Sequence, residues 1–268
     1  MITTPTIDLK TYNFYWENGY LILNNLFTEK EINNFYYRAS LHNDKEWSNV
    51  KNPDRYDFLI AHNSSKISNF DSELSFNLKM SEKINYLREC KKTAKTFRNL
   101  LRDKRIVSVL EELYNDKFVG LSTHIIWKKA GTKNATQAWN PHQDNSYGQS
   151  KNSKLLTINL FLDDVTIDNG AIYNYPGSHK EGLLETDWGK SYSDPSKPGK
   201  YCKIPPGYTQ NNIIAPKGTL YIQHGDLIHG SHGNITKNST RGMYSATYIV
   251  KDEKFIKGNE AFRKKIKL

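Results

Sequence analysis

A mainly β fold with flanking helices is predicted by three features of the sequence. Apolar residues recur at helical spacing through roughly the first 117 positions, then switch to short runs and period-2 alternation. Turn formers such as Asp168-Asn169-Gly170 and Pro216-Lys217-Gly218 separate those runs. Many short strands after a helical block describe a helix-backed β-barrel or sandwich. The 268 residues can bury a sizeable core, and no internal repeat or low-complexity linker divides them. A single domain over 1–268 is expected, with 1–117 as mostly helical support, 118–250 as the β core and 251–268 as a basic tail.

The elements follow in order. Leu9 to Asn18 reads as an aromatic-rich helix, with Gly19 as its C-cap. Tyr20-Leu21-Ile22-Leu23 is a short strand. Thr28 at the N-cap and Glu31 at the third helical position form a capping box. The helix it opens runs to about His42, with Ile32, Phe35 and Tyr36 at helical spacing. Asn43 to Asp71 is polar and irregular and reads as loop. Helical patterning resumes from Leu78 to Leu101 and continues through Ile106, Val109, Leu110 and Leu113 to about Tyr114. Strands are expected at Val119–Lys128, Leu155–Leu162, Ala171–Tyr175, Thr219–Gln223 and Met243–Val250. Glu185 to Ala215 is a long insertion with four Pro and three Gly, and a loop of that length in a compact domain is usually functional or disordered.

Composition removes several classes. With 17 Tyr, 11 Phe and 5 Trp the chain is too aromatic to remain unfolded. No run approaches the roughly 20 apolar residues of a membrane span, and Met1 to Asp8 lacks the basic head and apolar stretch of a secretory signal. Two cysteines, Cys90 and Cys202, cannot form a disulfide framework and have no zinc-ligand spacing. A cytoplasmic protein is expected. The formal charge of +10 is spread thinly, and no helix-turn-helix, finger or aromatic-basic RNA-binding signature accompanies it. No nucleic-acid partner is expected; an anionic small molecule drawn by that field is the alternative to a plain solvated surface.

The chemistry concentrates in Pro141-His142-Gln143-Asp144-Asn145. In extended chain, residues i and i+2 face the same side, so His142 and Asp144 can address one point. That is two-thirds of a 2-His-1-carboxylate site, which holds non-haem Fe(II) on one face and leaves positions open. The third ligand comes from His179, His224, His229 or His232. His229 lies just beyond the Thr219–Gln223 strand. Arg241, twelve residues later, opens the last strand, and its guanidinium can fork onto a carboxylate. His229 and Arg241 together would supply a ligand and an anion clamp. Gln143 should point away from its neighbours. His179 and His224 read as packing residues, His232 as exposed and Trp139 as core.

Further stretches complete the pattern: the opening Phe14-Tyr15-Trp16-Glu17-Asn18-Gly19-Tyr20, Lys128-Lys129-Ala130-Gly131-Thr132, Asp168-Asn169-Gly170-Ala171, Pro176-Gly177-Ser178-His179-Lys180, and His229-Gly230-Ser231 with Asn234 and Arg241. Together with His142-Gln143-Asp144-Asn145, they resemble the phytanoyl-CoA dioxygenase (PhyH-type) family of Fe(II)/2-oxoglutarate-dependent oxygenases, over most of the chain. The resemblance implies a double-stranded β-helix, or jelly-roll, core backed by the N-terminal helices. It implies iron on His142, Asp144 and His229, with 2-oxoglutarate anchored by Arg241 and assisted by Ser231, and O2 as the other cosubstrate. Lys128 is a further candidate for cosubstrate contact, and Asn145 and Tyr147 for substrate contact. Hydroxylation of an unactivated C–H in a small anionic or zwitterionic metabolite is expected, with succinate and CO2 as co-products. Desaturation or cyclisation at the same centre, and a non-catalytic jelly-roll binding protein, are the alternatives. A monomer or small homo-oligomer is expected. The 185–215 insertion matches no motif and is expected to form a lid, with Trp188, Tyr192, Tyr201 and Tyr208 over the substrate.

Overall fold

Helix α1 (Leu9–Asn18) begins where the Asp8 side chain accepts from the Thr11 N–H. It ends at Gly19, whose φ of +79° is the left-handed turn that the C-cap required. The computed structural model describes residues 7–43, 58–59, 80–131, 135–190, 198–256 and 265–268. Strand β1 (Tyr20–Leu23) follows at once. Helix α2 (Glu29–Asn43) is opened by the expected box: the Glu31 carboxylate accepts from the Thr28 N–H, and Thr28 Oγ1 accepts from the Glu31 N–H. The expected Asn43–Asp71 loop lies largely outside the described residues, which include strand β2 (Phe58–Leu59).

The helical pattern up to Tyr114 is two helices rather than one, α3 (Met80–Leu101) and α4 (Lys104–Tyr114). Asp103 breaks it by adopting extended backbone and accepting from the Arg105 N–H, an N-cap in the middle of the run. Ile106, Val109, Leu110 and Leu113 line the buried stripe of α4. Asn115 closes that helix in the left-handed region.

The β half consists of β3 (Phe118–Lys129), β4 (Trp139–His142), β5 (Leu155–Phe161), β6 (Ile172–Asn174), β7 (Thr186–Lys190), β8 (Pro198–Cys202), β9 (Asn211–Asn212), β10 (Leu220–His224), β11 (His229–Ser231) and β12 (Thr240–Val250). A six-stranded sheet has the order β1-β10-β5-β12-β3-β2, and a four-stranded sheet the order β4-β11-β6-β9. Neighbouring strands in both are antiparallel. This is the two-sheet core expected of a jelly roll. The 185–215 insertion is more regular than its Pro and Gly content suggested, because β7 and β8 pair as an antiparallel hairpin. Trp188 and Tyr201 lie on it, whereas Tyr192 lies outside the described residues.

Period-2 alternation explains why the large sheet is buried on both faces. Tyr244, Ala246, Tyr248 and Val250 of β12 join the helical core. Two tyrosines bind it by their hydroxyls: Tyr244 donates to Phe97 O at 3.2 Å and Tyr248 to Leu101 O at 3.0 Å. The intervening Arg241, Met243, Ser245 and Thr247 face a cavity between the sheets. Strand β5 behaves alike, with Leu156, Ile158 and Leu160 toward the helices and Thr157 and Asn159 toward the cavity.

Candidate metal centre

The pairing of β4 with β11 sets His142 opposite His229, and the two ring centroids stand 4.4 Å apart. After His142 the chain does not stay extended. Asp144 has φ −62° and ψ −32° and heads the short helix α5 (Asn145–Gly148). The pair thus meets across a strand-to-helix turn rather than along one strand face. Asp144 Oδ1 lies 3.8 Å from His142 Nε2 and 3.6 Å from His229 Nε2. The three donor atoms all fall within 4.8 Å of one another.

Both imidazoles are oriented from behind. His142 Nδ1 contacts Asn140 O at 2.6 Å, and His229 Nδ1 contacts Leu227 O at 3.0 Å. A carbonyl only accepts, so each Nδ1 carries a proton and each Nε2 is the ring nitrogen left to face Asp144. Burial, and then the neighbouring His229, lowers the His142 pKa to about 4, so the ring is neutral at pH 7. Burial pushes the Asp144 carboxyl up, but His229, His142 and the Gln223 amide more than offset it, leaving its pKa below the ordinary value. Two imidazole nitrogens and one carboxylate are the donor set that suits non-haem iron. Gln223 Oε1 is buried here without a hydrogen-bond partner among the described residues, a polar atom that a bound group could satisfy.

These residues line a cavity of about 220 Å³ with Tyr147, Thr157, Asn159, Ser231 and Arg241 among its walls. Arg241 is 1 % exposed. Its Nε donates to Gly170 O at 3.1 Å, and its Nη1 reaches the Met243 sulfur at 3.7 Å. It makes no ion pair with a carboxylate among the described residues. Burial lowers its pKa to about 10, with Asp163 opposing, which leaves it cationic at neutral pH. A buried cation of this kind on a cavity wall is a receptor for an anion.

Other expected residues are placed differently. Lys128 does not line the cavity. It is buried behind Ser231, where its Nζ donates to Ser231 Oγ at 2.9 Å and to His232 O. Burial and then Arg241 push its pKa well down. Asn145 is fully buried and exchanges hydrogen bonds with Ser150 and Asp226, so it does not face a substrate. Tyr147 does line the cavity, edge-on to His142 with centroids 6.0 Å apart. Its oxygen accepts from the Lys200 N–H at 3.1 Å, and the Lys200 Nζ sits 4.7 Å over its ring, which fastens the β8 strand to the site. Gln143 turns away as expected: it donates to Gly182 O and Asp226 O and accepts from the Leu184 N–H. His179 contacts Trp16 O, and His224 stacks on Tyr114. Two expectations are corrected. Trp139 is a cavity wall rather than core, and His232 is half-buried, with its Nε2 on Asn212 Oδ1 at 2.8 Å.

Sequence reasoning missed Gln223, which donates to Asp144 Oδ2 at 2.9 Å and lies as close to His229 Nε2. It also missed Thr157, Asn159, Ser245 and Thr247. The signal was present: polar residues at i, i+2 spacing inside otherwise apolar strands mark a second, functional face.

A two-sheet β core with two histidines and a carboxylate converging on a cavity defines the class of non-haem iron dioxygenases. The chain belongs to the phytanoyl-CoA dioxygenase (PhyH) family, which matches residues 15–243. A phytanoyl-CoA dioxygenase of Arabidopsis thaliana is 27% identical over 273 residues, covering 93% of this chain and 91% of that protein. A probable alpha-ketoglutarate-dependent hypophosphite dioxygenase of Stutzerimonas stutzeri is 28% identical over 148 residues, covering 51% of this chain and 47% of its own. Among solved structures, the epimerase SnoN in complex with Fe3+, alpha ketoglutarate and nogalamycin RO superposes with a TM-score of 0.63 at 16% identity, over 97% of this chain and 94% of that one. EctD from S. alaskensis with 2-oxoglutarate and 5-hydroxyectoine gives 0.59 at 15%, over 93% and 78%. These likenesses establish the jelly-roll fold. Among the described residues, no helix is long and apolar enough to cross a membrane.

Proposed function

We propose that the protein is an Fe(II)- and 2-oxoglutarate-dependent hydroxylase of a small anionic or zwitterionic metabolite. The observation that carries this is the pairing of the His142, Asp144 and His229 donors with the buried Arg241, which has no carboxylate partner among the described residues, in one cavity. His142, Asp144 and His229 would hold the iron, and Arg241 the distal carboxylate of 2-oxoglutarate. When bound, the metal and cosubstrate supply the oxidation: O2 is consumed, 2-oxoglutarate leaves as succinate and CO2, and one oxygen atom enters a C–H bond of the substrate.

The residues of the chain do the positioning. With Nε of Arg241 held by Gly170 O, its Nη N–H groups can meet a carboxylate in a buried site, where such a pair is strongest. Lys128 Nζ donates to Ser231 Oγ, so the Ser231 oxygen is the acceptor and its proton is left free to donate to the same carboxylate. Gln223 fixes the rotation of Asp144. Tyr147, held by Lys200, gives the substrate a wall beside His142 and a hydroxyl that can still donate. A 220 Å³ cavity shared with 2-oxoglutarate favours a compact substrate. The net charge of +10 favours approach of an anion. Asp144 would be one of three protein donors to the metal, and a carboxylate there favours the hydroxylase reading.

A compound library screened by succinate release with Fe(II), ascorbate, O2 and 2-oxoglutarate tests the reading. Small acids or zwitterions should stimulate succinate formation and gain one oxygen by mass. Stimulation confined to acyl-CoA esters, or to nucleic acid, would contradict it.

A further inference from the structure

We propose that Asp226 is a positioning residue for the metal centre, a brace that sets the spacing between the two segments carrying the ligands. The inference rests on reading His142, Asp144 and His229 as the ligand set. These arrive on two separate pieces of chain, residues 142–144 and the loop leading into β11. Asp226 is fully buried in that loop, three positions before His229. Its side chain and its backbone both reach the other segment.

Asp226 Oδ1 accepts from Asn145 Nδ2 at 2.8 Å, directly beside Asp144. Asp226 O accepts from Gln143 Nε2 at 2.7 Å, between His142 and Asp144. Its N–H donates to His224 Nδ1 at 3.1 Å, which fixes the turn that delivers Leu227 O to His229 Nδ1. Asn145 is itself immobilised, since its backbone N–H donates to Gly225 O at 2.8 Å and its Oδ1 accepts from the Ser150 N–H at 2.7 Å. The side-chain bond to Asn145 is the one link in this set that a substitution at position 226 removes without touching a backbone contact. Asp226 itself bonds to none of the three ligand side chains. Asp226 therefore acts through Gln143 and Asn145, as groups behind metal ligands do when they orient them.

The test is metal affinity of the full-length protein, measured by Co(II) titration against a competing chelator, with Tm of the metal-free protein recorded beside it. Asp226→Ala should weaken Co(II) by about 10-fold to 100-fold, the range typical of such supporting groups. Asp226→Asn keeps an oxygen for Asn145 and should restore the wild-type affinity. Asn145→Ala removes the same bond from the other side and should reproduce the Asp226→Ala loss, which decides the matter if Asp226→Ala does not fold. Wild-type affinity in folded Asp226→Ala or Asn145→Ala, with only a lowered Tm, would overturn the proposal and leave Asp226 a packing residue. Failure of the wild-type protein to bind Co(II), or retention of affinity in His229→Ala, would instead overturn the ligand reading on which it rests.

Discussion

Replacing Arg241 by methionine should separate binding from stability, because the guanidinium is costly where it stands. Burial lowers its pKa to about 10. At 1.36 kcal/mol per pH unit, that drop is about 3 kcal/mol of unfavourable burial in the absence of an anion. Methionine removes this cost and keeps a long side chain against Met243. It also deletes the Nε donor to Gly170 O, and a buried carbonyl left without a partner costs about 1–3 kcal/mol. The two effects nearly offset, so the Tm of the metal-free protein should move by only a few degrees, at roughly 2–4 °C per kcal/mol for a chain of this size. Binding should respond very differently. Truncating one partner of a buried charge pair costs about 2–5 kcal/mol. At about 1.4 kcal/mol per tenfold, that is a loss of roughly 30-fold to several-thousand-fold in 2-oxoglutarate affinity. Calorimetric titration of the metal-loaded protein reads the affinity, and thermal unfolding without metal reads the stability. A Tm lowered by more than about 10 °C with unchanged 2-oxoglutarate affinity would refute the argument, because it would make Arg241 a structural residue.

Lys128→Met should raise the KM for 2-oxoglutarate by about tenfold with little change in metal affinity, since it frees the Ser231 hydroxyl to rotate away; an unchanged KM in steady-state succinate assays would remove Ser231 from the carboxylate site. The Glu31 carboxyl is pulled down to about 2, chiefly by its hydrogen bond to Arg105. A depressed acid stabilises only while ionised, so its contribution is complete above about pH 4.5 and is lost as pH falls toward 2. Because Glu31 is about one-third exposed, that contribution is held to about 1 kcal/mol or less. Glu31→Gln should therefore lower urea stability at pH 7 and flatten its decline between pH 4.5 and 2, whereas parallel pH curves for the two proteins would count against the pair. Gly242→Ala should destabilise strongly, because a Cβ there would stand 2.3 Å from the Trp127 ring; a wild-type Tm would show that the ring can move aside.

The strands were legible where the physics is local. Leu155-Leu156-Thr157-Ile158-Asn159-Leu160-Phe161 is an apolar run of strand length, and it is β5. Gly19 and the Thr28–Glu31 box likewise act through neighbours within a turn. What escaped was set by distant parts of the chain. Asp103 is an N-cap residue type, but apolar residues at helical spacing on both sides of it mask the break. The β7–β8 hairpin is registered by pairs from Thr186↔Cys202 to Lys190↔Pro198, with Pro198 at its end. At the site, residue types and spacing pointed to His142, Asp144, His229 and Arg241, and the structure gathers all four on one cavity. The geometric reason was partly different, because Asp144 turns into a helix instead of continuing a strand. Lys128 and Asn145 sit at suggestive sequence positions, yet tertiary packing sends one behind Ser231 and the other into the Asp226 brace.

The central claim is that one iron centre is formed by His142, Asp144 and His229 and drives 2-oxoglutarate oxidation. Fe(II)-dependent succinate formation by the purified protein, compared among wild type, His229→Ala and His224→Ala, tests it most directly. The account predicts abolished succinate in His229→Ala, where one of three protein donors is gone. In His224→Ala, which loses ring contacts with Tyr114, Trp16 and His179 and a hydrogen bond from the Asp226 N–H, activity is reduced but not abolished, at lower stability. Activity retained in His229→Ala and lost in a folded His224→Ala would contradict it.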